Sequence, residues 1–252
     1  MAKLTGIIKL KGTLDNLTFY KTKDGDLVKT KSSISKERIS TDPAFVRTRE
    51  NGSEFGKAAT AGKLFRAAVK SMLATTDSKL TSKVTKLMME LRQYDTTSVR
   101  GERNIYTAIG TVEAQDVLNG FNLNSKAILS TVLHRNFTVD MVLGKISFLD
   151  IIPATDIVFP KGATSVSLRG AWAKINFDTN MFDIGLSDPL VLIKTSGSFG
   201  PFNLPILPIP TTKGISVFLL GVDFYQDVNG VSYSLNNGAF NALQVVGGAI
   251  AV

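Results

Sequence analysis

Ile215-Ser216-Val217-Phe218-Leu219-Leu220-Gly221-Val222-Asp223-Phe224-Tyr225-Gln226 and Val231-Ser232-Tyr233-Ser234-Leu235, with Asn229-Gly230 between them, form the stretch on which the fold turns. Both runs are rich in β-branched and aromatic residues, and Asn-Gly suits the two positive-φ positions of a tight hairpin. A lone hairpin is marginal in water, so it requires neighbouring strands. The chain upstream offers them. Residues 127–133, 137–142, 145–149, 156–159 and 190–194 are short strand candidates, and 166–177 is a longer one holding the only tryptophan, Trp172. Residues 201–210 hold four of the eight prolines, which predicts an extended edge or a loop there. Strands at this turn-punctuated spacing predict a C-terminal antiparallel β-sandwich over residues 121–252.

Ahead of the β region the pattern is helical. Thr41-Asp42-Pro43 reads as a helix start, because Asp42 can cap the free amides and Pro43 fits the first turn. The following segment reaches about Leu73, with Phe55, Ala59, Phe65, Val69 and Met72 near one face and Asn51-Gly52 as a candidate kink. Its small residues Gly52, Gly56, Ala59 and Gly62 allow close approach of another backbone. A second helix from Asp77 spaces Leu80, Val84, Leu87, Met88, Leu91 and Tyr94 by three and four, and the pair predicts an antiparallel hairpin. Residues 105–118 predict a shorter third helix ending at Asn119-Gly120.

Residues 4–32 predict a meander of three strands, at 6–13, 17–22 and 27–31, with turns at Asp15-Asn16 and Asp24-Gly25. The expected class is therefore α+β: an N-terminal β-meander and helical hairpin, then a β-sandwich, with domains at 1–120 and 121–252. Charge divides in the same sense. Residues 1–106 hold 21 Lys and Arg against 11 Asp and Glu, and residues 107–252 hold 8 against 10. A basic part of this kind suits nucleic acid, an anionic surface or an acidic face of another subunit, and equally a solvated helical surface. Lys9, Lys11, Lys21, Lys23, Lys29 and Lys31 decorate the meander around Phe19 and Tyr20, a mixture that single-strand binders use. Lysines on exposed strands also block unwanted edge pairing.

Several chemistries are hard to build from this composition. The 252 residues include no cysteine and one histidine, so disulfides, thiolate metal sites and thiol nucleophiles are excluded. A mostly carboxylate zinc site would be unusual. Gly56-Lys57-Ala58-Ala59-Thr60-Ala61-Gly62-Lys63-Leu64 fails as a phosphate loop, since five residues separate its glycines and Leu64 stands where Ser or Thr must reach magnesium. His134 has no nucleophile-elbow motif to serve. Asp24-Gly25-Asp26 lacks the further ligands of a calcium loop, and the Ser33 and Lys36 pair lacks the companion lactamase motifs. Paired carboxylates need no local motif and stay open. The expectation is a protein with no catalytic residues, cofactor or metal.

No apolar run approaches the roughly 20 residues of a membrane helix. The charged start lacks the apolar stretch of a signal peptide, so a cytoplasmic location is expected, with assembly outside the cell or in a virion left open. The last eight residues, Val245-Val246-Gly247-Gly248-Ala249-Ile250-Ala251-Val252, carry no charge. Such a strand pairs within its own sheet, the ordinary fate, or adds to a neighbouring molecule. The N-terminal meander, short of a core, can serve the second purpose. Candidate self-assembly residues are thus Ile7, Ile8, Leu10, Phe19, Val245, Val246, Ala249, Ile250 and Val252.

Three N-terminal stretches stand out: Thr5-Gly6-Ile7-Ile8-Lys9-Leu10-Lys11-Gly12-Thr13-Leu14, then Leu17-Thr18-Phe19-Tyr20-Lys21-Thr22-Lys23-Asp24-Gly25, and Asp42-Pro43-Ala44-Phe45-Val46-Arg47-Thr48-Arg49-Glu50-Asn51. They resemble a family of uncharacterised Bacteroidetes proteins of similar length. Phe121-Asn122-Leu123-Asn124 and Leu129-Ser130-Thr131-Val132-Leu133 are similar to that group more loosely. The resemblance implies bacterial origin and the same order of hairpin, helices and β domain, and it brings no catalytic residues. The expected function is a non-enzymatic structural protein that self-assembles, with filament growth by strand addition as one route and a phage or injection-machine component as a variant. The alternative is a nucleic-acid-binding protein using the basic N-terminal face, and an enzyme with dispersed carboxylates ranks last.

Overall fold

The computed structural model describes residues 2–3, 10–23, 25–31, 34–73, 79–235 and 239–250, without the side chains of residues 2, 3, 249 and 250. The chain divides into two compact units, Met1–Asn51 and Gly52–Val252. Residue 120, where the composition changes, falls inside the second.

In the first unit, β1 (Ala2–Lys3), β2 (Gly12–Leu14), β3 (Leu17–Thr22) and β4 (Gly25–Thr30) form an antiparallel sheet in the order β1-β4-β3-β2. Asp15-Asn16 closes the β2–β3 hairpin: Leu14 pairs with Leu17, and Asp15 takes a φ of 49°. The second reversal comes earlier than Asp24-Gly25 implied, because Gly25 is already paired with Thr22. Next come α1 (Lys36–Thr41) and the start of α2 (Val46–Ala68). Asp42 caps the turn between them, accepting from the Ala44 amide at 2.9 Å with Pro43 in first place. Arg49 braces the same junction by donating to the carbonyls of Ile39 and Asp42 at 2.8 and 3.0 Å.

The helical segment is not split at Asn51-Gly52: α2 is assigned as one helix through both residues. A helical glycine costs about 1 kcal/mol relative to alanine but leaves the hydrogen-bond ladder intact, unlike proline. The buried face keeps Phe65 of the expected stripe, with Val69 buried just beyond the helix, and departs from it at Phe55. It holds Glu54, Ala58, Ala61, Leu64, Phe65 and Ala68, while Phe55 is 54% exposed. Apolar residues surround this helix on all sides, so its own pattern singles out no face. Helix α3 (Leu80–Leu91) makes the choice: its Val84 and Met88 side chains stand 3.4 and 3.6 Å from where a Cβ on Gly62 would lie. Helix α3 itself buries Leu80, Val84, Leu87, Met88 and Leu91, as their spacing predicts. The expected third helix is two, α4 (Ile105–Ala108) and α5 (Val112–Leu118), because Thr111 caps the latter by accepting from the Ala114 amide at 3.3 Å.

The remaining elements are α6 (Leu129–Val132), β5 (Phe137–Asp140), β6 (Lys145–Phe148), α7 (Pro153–Asp156), β7 (Ser165–Asn176), β8 (Met181–Leu186), β9 (Leu190–Ile193), β10 (Phe202–Pro205), β11 (Ile215–Val228), β12 (Val231–Ser234) and β13 (Ala242–Ile250). Two candidate strands, 127–133 and 156–159, are corrected to the neighbourhoods of α6 and α7, with only a single bridge from Leu133 to Ile157. Short apolar runs suit a buried helical turn as well as a strand. Strand β8 falls where no strand is expected from the sequence. Strand β10, within the proline-rich segment 201–210, lies at the edge of a small sheet ordered β10-β6-β5. Asn229 and Gly230 take φ of 51° and 78° between paired Val228 and Val231, the hairpin geometry their sequence calls for.

The large sheet is organised around β7 and β11, paired from Ile215–Ile175 to Tyr225–Ser165. Strands β12 and β13 share the outer side of β11, and β8 and β9 share that of β7. Both faces are buried. Ala171, Ala173, Ile175, Val217 and Leu219 meet the helices, while Leu168, Trp172, Phe218, Leu220 and Phe224 meet Ile146, Phe148 and Leu204 of the small sheet. Burial on both faces explains why 217–222 reads as an uninterrupted apolar run. The class is α+β: the large antiparallel sheet carries the helices on one face and the small sheet on the other. Trp172 stacks on Phe218 with centroids 4.9 Å apart. Gly144, at φ 63°, makes room for that indole, since a Cβ there would stand 2.8 Å from its ring.

Candidate functional site

The C-terminal strand takes the first of its two expected fates. Strand β13 pairs with β11 of the same chain from Ile215–Ile250 to Val222–Ala242, with a bulge that leaves Val246 out of register. Its other side is also engaged: the Gly120 and Leu123 amides donate to the Val245 and Leu243 carbonyls at 2.8 Å, and the Val245 amide donates to Phe121 at 2.9 Å. Val245 is fully buried and Val246 half-buried. Val245, Val246, Ala249 and Ile250 thus lie in a strand of their own chain's sheet. Val252 lies outside the described residues.

The N-terminal sheet is different in kind. From residue 10 to 51, no described residue is buried. Register assigns its faces. Leu17 pairs with Leu14 and Thr30, Phe19 with Gly12 and Val28, and Lys21 with Asp26, so these residues share one face. Thr13, Thr18, Tyr20, Leu27 and Lys29 share the other. There the Thr13 and Thr18 hydroxyls are 3.3 Å apart, and the Lys29 ammonium sits 5.6 Å from the Tyr20 ring centre. The alternation therefore separates Phe19 from Tyr20 and Lys21 from Lys29. Lys11, Lys23 and Lys31 flank the strands and are exposed, as is Leu10. Ile7, Ile8 and Lys9 lie outside the described residues. Leu14, Leu17 and Val28, absent from the candidate residues, join Phe19. The two-residue turn at Asp15-Asn16 was the signal for them, since it fixes Leu14 opposite Leu17.

The second unit contains a fully buried, ion-paired carboxylate, Glu54. Its Oε1 accepts from the Gly101 amide and from Arg103 Nε, both at 2.8 Å, and its Oε2 accepts from Arg103 at 3.0 Å and pairs with Arg92. Burial first, then the charges of Arg103 and Arg100, hold the Arg92 guanidinium below the usual arginine range. Close by in sequence, buried Asp95 accepts from the Thr97 amide and hydroxyl and from the Ser98 and Asn104 amides, at 3.0–3.2 Å. Burial pushes its carboxyl up, but these hydrogen bonds outweigh it and hold the pKa at about 2, against an ordinary 3.8. Both carboxylates are saturated with donors, so their work is to hold the loop after α3.

A depressed folded pKa stabilises above the unfolded value. Asp95 should therefore contribute fully above about pH 4 and lose that contribution as pH falls toward 2. Urea midpoints measured between pH 5 and pH 2 should fall more steeply for the parent than for Asp95→Asn.

Residues 56–64, the failed phosphate loop, lie inside α2, where the backbone amides are used by the helix. His134 is exposed, and its amide donates to the Asp156 carbonyl at 2.8 Å. Ser33 and Asp24 lie outside the described residues. An open recess of about 480 Å³ is lined by Gly56, Lys57, Thr60, Asn104, Tyr106 and Asp178. Its Lys57 ammonium is held by the Glu102 carbonyl at 3.0 Å and the Glu102 carboxylate at 2.5 Å. Among the described residues no three His, Asp or Glu side chains gather as a metal-holding group, and no helix is long and apolar enough to cross a membrane. No family model, curated protein or solved structure matches the chain.

Proposed function

We propose that the protein is a non-enzymatic structural protein that assembles with copies of itself through its N-terminal sheet, with strand addition at the edges of that sheet as the route to a filament. The observation that carries this reading is the absence of any buried residue among those described in Met1–Asn51, although its strands present Leu14, Leu17, Phe19 and Val28. Ordering each residue costs about 1–2 kcal/mol. A small sheet offsets that by burying an apolar face, which an intermolecular contact supplies. An edge strand offers its unpaired backbone groups to another chain, β2 being one edge of this sheet, and a contact that does not close on itself propagates as a fibre.

Sedimentation velocity over a hundredfold concentration range, with negative-stain microscopy of the same samples, tests the reading. Oligomers that grow with concentration and persist in 1 M salt are expected, because an apolar contact is not screened. Monomers at every concentration would overturn it. A second reading, nucleic-acid binding, draws on the 11 Lys and Arg against 6 Asp and Glu of residues 1–51. It requires affinity for DNA or RNA that falls steeply with salt, which fluorescence titration measures.

A further inference from the structure

We infer that two copies stack their N-terminal sheets face to face about a two-fold axis, through the face bearing Leu14, Leu17, Phe19 and Val28. The inference rests on the self-association reading and adds to it the contacting face and the partner, a second copy of this chain.

Charge separates the two faces of the sheet. Among the described residues of β2, β3 and β4, the charged ones on the Leu17 face are Lys21 and Asp26, which the register sets directly opposite each other, so these strands leave that face neutral. Leu14 is 64% exposed and Leu17 44%. On the Thr18 face the polar groups already have company, the paired threonine hydroxyls and Lys29 over Tyr20. It carries Lys29 with no carboxylate among the residues of β2, β3 and β4 on that side.

The choice of partner follows. Two Thr18 faces brought together would oppose lysine with lysine, whereas two Leu17 faces meet without like-charge repulsion and remove leucine, valine and phenylalanine from water. A nucleic acid would gain no net charge attraction from the Leu17 face. An identical neutral, apolar face satisfies it, and a two-fold axis is the operation that lets one surface be its own partner. Aligned sheets pack about 10 Å apart, with their inner side chains interdigitating. The edges of such a pair stay available, so a stacked pair is compatible with growth by strand addition.

The chain has no cysteine, so Leu17→Cys and Thr18→Cys each introduce a single thiol, on opposite faces one residue apart. A bismaleimide of about 10 Å reach, matched to the sheet spacing, is added to each full-length variant. Covalent dimer from Leu17→Cys at five or more times the yield from Thr18→Cys is expected. Equal yields, a preference for Thr18→Cys, or no cross-link from either while sedimentation still finds oligomers would overturn the face assignment and leave self-association standing. Monomeric parent protein would overturn both. In parallel, Leu17→Glu should weaken association at least tenfold and Thr18→Glu by less than twofold. Far-UV circular dichroism checks that each sheet is intact. Equal weakening by the two folded variants also overturns the face.

Discussion

Glu54→Ala should lower the free energy of unfolding by about 3–5 kcal/mol, the range found when one partner of a buried ion pair is removed. The side chain has no exposed surface, and it is the shared acceptor for Arg103, Arg92 and the Gly101 amide. Without it, the Gly101 amide and the Arg92 guanidinium, 13% exposed, lose their acceptor inside the protein, while Arg103, 26% exposed, is left to solvent. Glu54→Gln keeps the shape and one acceptor oxygen but gives up the charge, so it should fall between parent and alanine. Urea unfolding followed by Trp172 fluorescence measures both, and a Glu54→Ala loss below about 1 kcal/mol would show that the arginines are satisfied elsewhere. The effect should be confined to stability, because the carboxylate is enclosed.

The second large effect concerns the chain end. A chain ending at Gln244 should fail to keep a cooperative near-ultraviolet signal at 25 °C. The truncation strips β11 of its partners from Ile215 to Leu219 and removes fully buried Val245 from the contact with α5 and the segment that follows it. Exposing one side of a central strand uncovers backbone donors and acceptors along with apolar area. If the tail were a free strand reserved for a neighbour, the truncated protomer would fold normally and lose only its polymers. A folded, fully cooperative truncation would therefore argue for that arrangement. Val245→Asp is the milder form of the same test and should also destabilise, since it buries an unpaired carboxylate.

How far local signals reach can be judged from individual elements. Asn229-Gly230 and Asp15-Asn16 close hairpins whose dihedral angles only a few residue types tolerate, so the chemistry is written into two adjacent positions. Asp42 with Pro43 starts a helical turn for the same kind of reason. Helix α3 shows its buried face because its apolar residues fall on one side. Helix α2 does not, and Glu54 turns inward only because Arg92 and Arg103, roughly forty to fifty residues later, are there to meet it. No pattern within α2 contains that information.

The candidate surface divides along the same line. The turn at Asp15-Asn16 sets the register, and register alone sends Leu14, Leu17, Phe19 and Val28 to one face and separates the lysines that are neighbours in sequence. That much is arithmetic of alternation. Whether an apolar strand is free or paired is not. Residues 242–250 read identically either way, and what places them inside is the side of β11 that β12 leaves open together with the Gly120–Leu123 backbone, which is distant in sequence. The sequence by itself determined turns, caps, one helix face and the alternation of the N-terminal sheet, because these depend on residues a few positions apart. The tertiary structure alone decided the buried Glu54, the helices on one face of the large sheet and the partner of the C-terminal strand, because each depends on groups brought together only when the whole core closes.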